Sequence, residues 1–113
     1  MNITDQLITD LLITAMEGGS NYWVDEVDYN YIPFDAQSPR YARLSECRKH
    51  GMIVFNMEDM PTYRLRWDML HPGLELMKEK YPRHYAAITD ESWDAETADV
   101  FLQLALFKEL IFG

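Results

Sequence analysis

Apolar residues Ile3, Leu7, Ile8, Leu11, Leu12, Ala15 and Met16 recur at spacings of three and four, which lines them up on one stripe of a helix. The pattern predicts an amphipathic helix over about residues 4–17. Thr4 is its N-cap and Gly18-Gly19 its stop, with Gly19 expected in the left-handed conformation that glycine favours just past a helix end. Asp5, Asp10 and Glu17 fall on the outer face. The period then changes from three-and-four to two. Trp23, Val27, Tyr29 and Tyr31 alternate with Asp25, Asp28 and Asn30, as in a half-buried strand with an acidic outer side. Glu26 joins that outer or edge environment only through a bulge.

Pro33 and Ser38-Pro39 mark a loop, followed by a short helix over Arg40 to Lys49 that His50-Gly51 stops. Met52 to Phe55 is a short apolar run, and Tyr63, Leu65 and Trp67 alternate with Arg64 and Arg66. With the turn-like segment Asn56 to Pro61 between them, these runs predict an antiparallel hairpin, one face aromatic and the other carrying the two arginines. Pro72 suits the first turn of a helix bearing Leu74, Met77 and Tyr81, which Pro82 ends or kinks before Arg83 to Ile88. Asp94 is placed to cap a last helix over Ala95 to Phe112, with Glu96 and Asp99 near its positive end. Apolar residues cover most of that helix's circumference, so it is either the central core element or half of a dimer interface. The stripe Glu96, Asp99 and Gln103 is the part expected to face water. The fold class that results is α+β, a small antiparallel sheet of about three strands packed against N-terminal and C-terminal helices.

Composition narrows this reading. The chain has 113 residues, 48% of them hydrophobic and 13% aromatic, enough to bury one core, so residues 1–113 are expected to form a single domain. Cys47 is the only cysteine, which excludes an intrachain disulfide and suits a reducing compartment. MNITDQLITD has neither the basic start nor the unbroken apolar stretch of a signal peptide, and Val100 to Phe112 falls short of the roughly 20 apolar residues a bilayer requires. A cytoplasmic location without membrane insertion is expected. The net charge of −9 is unevenly spread: Met1 to Asp35 holds seven acids and no Lys or Arg, and Asp90, Glu91, Asp94, Glu96 and Asp99 cluster near the other end. Such a surface repels nucleic acid and attracts basic proteins, including those that themselves hold DNA or RNA.

The familiar chemistries are not met. His50, His71 and His84 have no metal-ligand spacing to one another, and surface or capping roles suit them. Cys47 beside Arg48 and Lys49 could carry a lowered thiol pKa, but it has no His or Asn/Asp support and reads as structural. Asp25, Glu26 and Asp28 lack the glycine and terminal glutamate of a calcium loop. Gly18-Gly19 follow a helix, where phosphate-cradling glycines precede one. Arg64 and Arg66 could grip a carboxylate or phosphate, or pair with Glu58, Asp59 or Asp68. No catalytic residue, metal or cofactor is assigned.

Three stretches carry a resemblance: Glu17-Gly18-Gly19-Ser20-Asn21-Tyr22-Trp23 after the first helix, Gly73-Leu74-Glu75-Leu76-Met77 with Lys80-Tyr81-Pro82-Arg83-His84-Tyr85, and Asp94 to Gln103 with the terminal Gly113. Together they resemble a family of small uncharacterised proteins of bacteriophages and prophages. Residues 24–60 share nothing with it, and Lys108 stands where glycine is expected. The resemblance implies a phage accessory protein, of the kind that acts by stoichiometric inhibition of a host protein. Combined with the charge, it leads to the expectation of a non-enzymatic inhibitor, of anti-CRISPR or anti-restriction type, acting in the host cytoplasm on a protein with a basic nucleic-acid-binding surface and not touching nucleic acid itself. The expected contact residues are Asp25, Glu26, Asp28, Trp23, Tyr29, Tyr31, Glu91, Glu96 and Asp99. A homodimer is slightly favoured over a monomer. The alternatives are a small-ligand or nucleotide-binding protein using Arg64, Arg66 and Tyr22-Trp23, and a structural phage component that self-assembles through its last helix.

Overall fold

In the computed structural model, which describes residues 3–113, Thr4 opens α1 (Asp5–Thr14) by accepting from the Leu7 amide at 3.1 Å. One face of α1 buries Ile8, Leu11 and Leu12. The helix does not stop on a left-handed glycine. It widens into a π-helical turn, Ala15–Gly19, in which the Ser20 amide donates to the Ala15 carbonyl at 2.9 Å, and none of the described glycines has a positive φ. Gly19 is needed for a different reason: a Cβ there would lie 2.4 Å from the Ala95 carbonyl oxygen. The end of α1 is thus seated directly on the start of the last helix.

The strand predicted across Trp23 to Tyr31 is shorter, β1 (Glu26–Asp28). Before it, the amides of Trp23 and Val24 both turn back to the Ser20 carbonyl. After it, the Asp28 carboxylate accepts from the Asn30 amide at 2.8 Å, an Asx turn that ends the pairing. The sheet order is β1-β2-β3, antiparallel throughout, with β2 (Ile53–Asn56) central and β3 (Tyr63–Leu65) at the far edge. Ile53 faces Leu65 and Phe55 faces Tyr63 across the hairpin. Ile53, Phe55 and Leu65 are fully buried and Arg64 is exposed, which fixes the register by the face each residue takes. Trp67 is not in the strand but begins a 3-10 turn, Trp67–Met69, that leads into α2 (Leu70–Lys80). The segment at 40–46 is likewise a 3-10 helix, with only Leu44 buried to anchor it.

Pro82 ends α2 and starts α3 (Pro82–Thr89). The last helix, α4 (Ala95–Phe107), is capped by Asp94, which accepts from the Thr97 amide at 3.0 Å. Every residue from Thr97 to Phe107 is buried. Helices α1, α2 and α3, the π-helical turn and β3 enclose it, so one chain covers the whole apolar circumference without a second copy. α4 is the central core element of an α+β fold. It stops five residues earlier than its apolar pattern suggests, at Lys108, which has φ 68°. Left-handed backbone disfavours residues with a Cβ. Lys108→Gly is expected to raise stability by about 0.5–1 kcal/mol, read as a higher urea midpoint; an unchanged or lower midpoint would contradict this account of the helix end.

Candidate functional site

Two features of the fold bear on function, one interior and one on the surface. The interior one joins the segments Ser20–Trp23 and Asp99–Gln103. One carboxylate oxygen of Asp99 accepts from the Ser20 hydroxyl and the Trp23 indole N–H, both at 2.7 Å. The other accepts from the Tyr22 hydroxyl at 2.6 Å and the Gln103 amide at 3.2 Å. Asp99 is 6% exposed and Gln103 0%. Four donors offset the loss of water around the carboxylate, and without them burying it would cost several kcal/mol. The Tyr22 hydroxyl is pushed up to about 12, chiefly by burial and then by its bond to Asp99. The Tyr41 hydroxyl reaches about 12 in the same way, through burial and a bond to Glu17.

This corrects the expected contact surface. Trp23 is 6% exposed, stacked on Phe112 with ring centroids 5.1 Å apart and tilted against Phe107 at 5.3 Å. Trp23 and Asp99 are therefore interior residues, unavailable to a partner, because each satisfies the other. Of the stripe expected to face water, only Glu96 does so.

The surface feature is centred on β1, an edge strand. Asp25 and Glu26 are exposed and Asp28 half-buried. Tyr29 is half-buried against Tyr41, with ring centroids 5.8 Å apart, and Tyr31 is 52% exposed. Phe34, which the sequence pattern did not single out, is 75% exposed and continues this segment, with the Arg40 guanidinium over its ring. Its signal was its setting, an aromatic between Pro33 and Asp35 in a loop that offers no apolar periodicity to bury it. Glu91, in the turn after α3 with φ 58°, and Glu96, in the first turn of α4, are both exposed. They belong to other elements than β1, and Glu96 lies beside Tyr22 and Gly18. Among the described residues the ion pairs are Arg43 with Asp35 and Glu46, and Arg48 with Asp5. Asp25, Glu26, Asp28, Glu91 and Glu96 make no salt bridge among the described residues.

Arg64 and Arg66 are separated in role. Arg64 projects from β3 into solvent, and Arg66 precedes the 3-10 turn; neither pairs with Glu58, Asp59 or Asp68. His84 bonds the Thr97 hydroxyl at 3.1 Å. Among the described residues no three His, Cys, Asp or Glu side chains are grouped to hold a metal ion, and no helix is long and apolar enough to cross a membrane. Comparison of the chain with protein-family models, curated proteins and solved structures finds no match, so function has to be argued from the chemistry of these surfaces.

Proposed function

We propose that this protein acts by binding a basic, nucleic-acid-handling host protein and blocking its nucleic-acid site, as a phage-derived accessory factor of anti-CRISPR or anti-restriction type. The observation that carries the reading is the edge segment in which Asp25, Glu26 and Asp28, which make no salt bridge among the described residues, are followed along the chain by the exposed rings of Tyr31 and Phe34. Carboxylates arrayed on a rigid strand can occupy a groove built for phosphates, and aromatic anchors supply contact energy that charge alone does not. Tyr29 follows the edge strand directly, while Glu91 and Glu96, on other elements, add to the acidic surface elsewhere. The phage origin follows from the resemblance of the three sequence stretches, and a host-cytoplasmic site of action from the nature of such a partner.

Affinity capture from a bacterial lysate on the immobilised chain tests this. The expected result is a retained protein that binds DNA or RNA and loses that binding when the chain is added stoichiometrically. Retention of proteins whose nucleic-acid binding is unaffected by the chain would contradict the proposal.

A further inference from the structure

Arg40 is the arginine of its neighbourhood without an acid. Arg43, on the same 3-10 segment, pairs with Asp35 and Glu46 and donates to the Pro33 carbonyl at 2.7 Å, and Arg48 pairs with Asp5. Arg40 makes no ion pair among the described residues, and its Nε–H is buried with no acceptor. A guanidinium cannot shed its charge, and a buried donor without an acceptor carries a lasting cost. The acids at hand are already engaged: Asp35 also accepts from the Gln37 amide at 2.8 Å, and Glu17 accepts from the Tyr41 hydroxyl.

Beside the end of β1 lies an open cleft of about 580 Å³, with walls that include Tyr29, Phe34, Pro39, Arg40 and Tyr41. That volume is within the range that takes a small organic ligand. Tyr29 and Tyr41 pack against the core and against each other, ring centroids 5.8 Å apart, and form its fixed side. Phe34 is 75% exposed and belongs neither to the core nor to the side chains packed on it, and the Arg40 guanidinium lies over its ring at 5.6 Å. Phe34 can therefore swing aside without disturbing the fold.

We propose that this cleft binds a small organic carboxylate borne on a flat aromatic or conjugated body. The carboxylate accepts from Nε and a terminal nitrogen of Arg40 side-on, the two parallel bonds for which a planar guanidinium is shaped. It thereby supplies the acceptor that Nε lacks. The flat body lies among Tyr29, Phe34 and Tyr41, where offset or edge contacts between rings add to the area buried. A single negative charge suits the cleft better than a phosphate dianion, because Asp35 and Glu17 raise the cost of a second one. The inference goes beyond the function proposed for the acidic edge, since it rests on a cation and a cleft and not on Asp25 or Glu26.

The probe is cinnamate, with cinnamamide as its uncharged counterpart, each titrated into the full-length chain and followed by backbone amide NMR shifts. Cinnamate is expected to saturate with a Kd of about 1 mM or tighter and to move the amides around residues 34–41. Cinnamamide should bind at least about tenfold more weakly, and Arg40→Met, which keeps the apolar stem, should weaken cinnamate by at least about tenfold. Failure of cinnamate to saturate, shifts centred elsewhere, equal binding of the amide, equal binding by folded Arg40→Met, or displacement by equimolar inorganic phosphate would overturn the inference. Should Arg40→Met fail to fold, the comparison of acid with amide on the unaltered chain decides alone. None of these readouts involves the partner of the acidic edge, so the result stands whichever way that experiment falls.

Discussion

Asp99→Ala is expected to lose about 3–5 kcal/mol of stability, because one substitution strands the donors of Ser20, Trp23 and Gln103 inside the protein and frees that of Tyr22. A domain of this size has about 5–15 kcal/mol in total, so the variant should be partly unfolded or unfold at far lower urea. The loss comes less from the bonds themselves, each worth about 1 kcal/mol net, than from donors left without water or acceptor. Two comparisons separate this from a general effect of charge. Tyr22→Phe removes the one donor that can turn to solvent and should cost about 1 kcal/mol. Glu96→Ala, on the same helix but exposed, should cost less than about 1 kcal/mol, the worth of an acid in a first turn. Urea unfolding followed by tryptophan fluorescence measures all three, and an Asp99→Ala midpoint close to that of Glu96→Ala would mean that the node does not hold the two ends of the chain together.

Gly73→Ala should destabilise by about 1–3 kcal/mol, although glycine to alanine within a helix is worth up to about 1 kcal/mol in the opposite direction. Steric contact decides the sign. A Cβ at Gly73 would lie 2.8 Å from both Cα and Cβ of Ala105, and neither is the movable end of a long side chain. α2 would have to back away from α4 along its tightest contact, opening space around Leu70, Leu74 and Met77. Ala105→Gly in the same chain should recover part of the loss, since it removes one of the two clashing atoms. Calorimetry on the single and double variants checks this, and a Gly73→Ala protein that melts higher than the parent would exclude close approach as the reason for the glycine.

What the sequence made legible, and what it hid, differ in range. The helix starts at Thr4 and Asp94, the break at Pro82 and the Ile53/Leu65 hairpin were readable because caps, prolines and periodicity act over a few residues. The end of α4 was not, because Gln103 draws the tail back through its side chain and cuts short an apolar run that would otherwise continue. Asp99 and Gln103 were read as an outward stripe, since polar residues at helical spacing usually face water. Their donors and acceptors come from Ser20, Tyr22 and Trp23, between 76 and 81 positions away, a distance over which no local pattern operates. The same geometry explains two of the stretches that carried the resemblance: Ser20–Trp23 and Asp99–Gln103 are the two halves of one buried node. Gly73 of the other stretch marks the α2–α4 contact. Those stretches therefore report how the chain is held together more than what it binds. The acidic edge at β1 lay in the part of the chain without resemblance, and there charge and aromatic content were the only guides.

The acidic edge is proposed to meet a basic nucleic-acid groove, which is tested by the association rate with the captured partner after Asp25, Glu26 and Asp28 are reversed to Lys. Because complementary charge acts mainly on encounter, the on-rate should fall by about tenfold or more. A comparable fall is expected for the unaltered chain between about 0.1 M and 1 M salt, as the Debye length shrinks from about 10 Å to about 3 Å. Reversal at Asp28 also gives up its bond to the Asn30 amide, so Asp25→Lys with Glu26→Lys serves as the variant in which folding is untouched. An association rate indifferent both to these reversals and to salt would contradict the claim and leave the rings of Tyr31 and Phe34 as the contact.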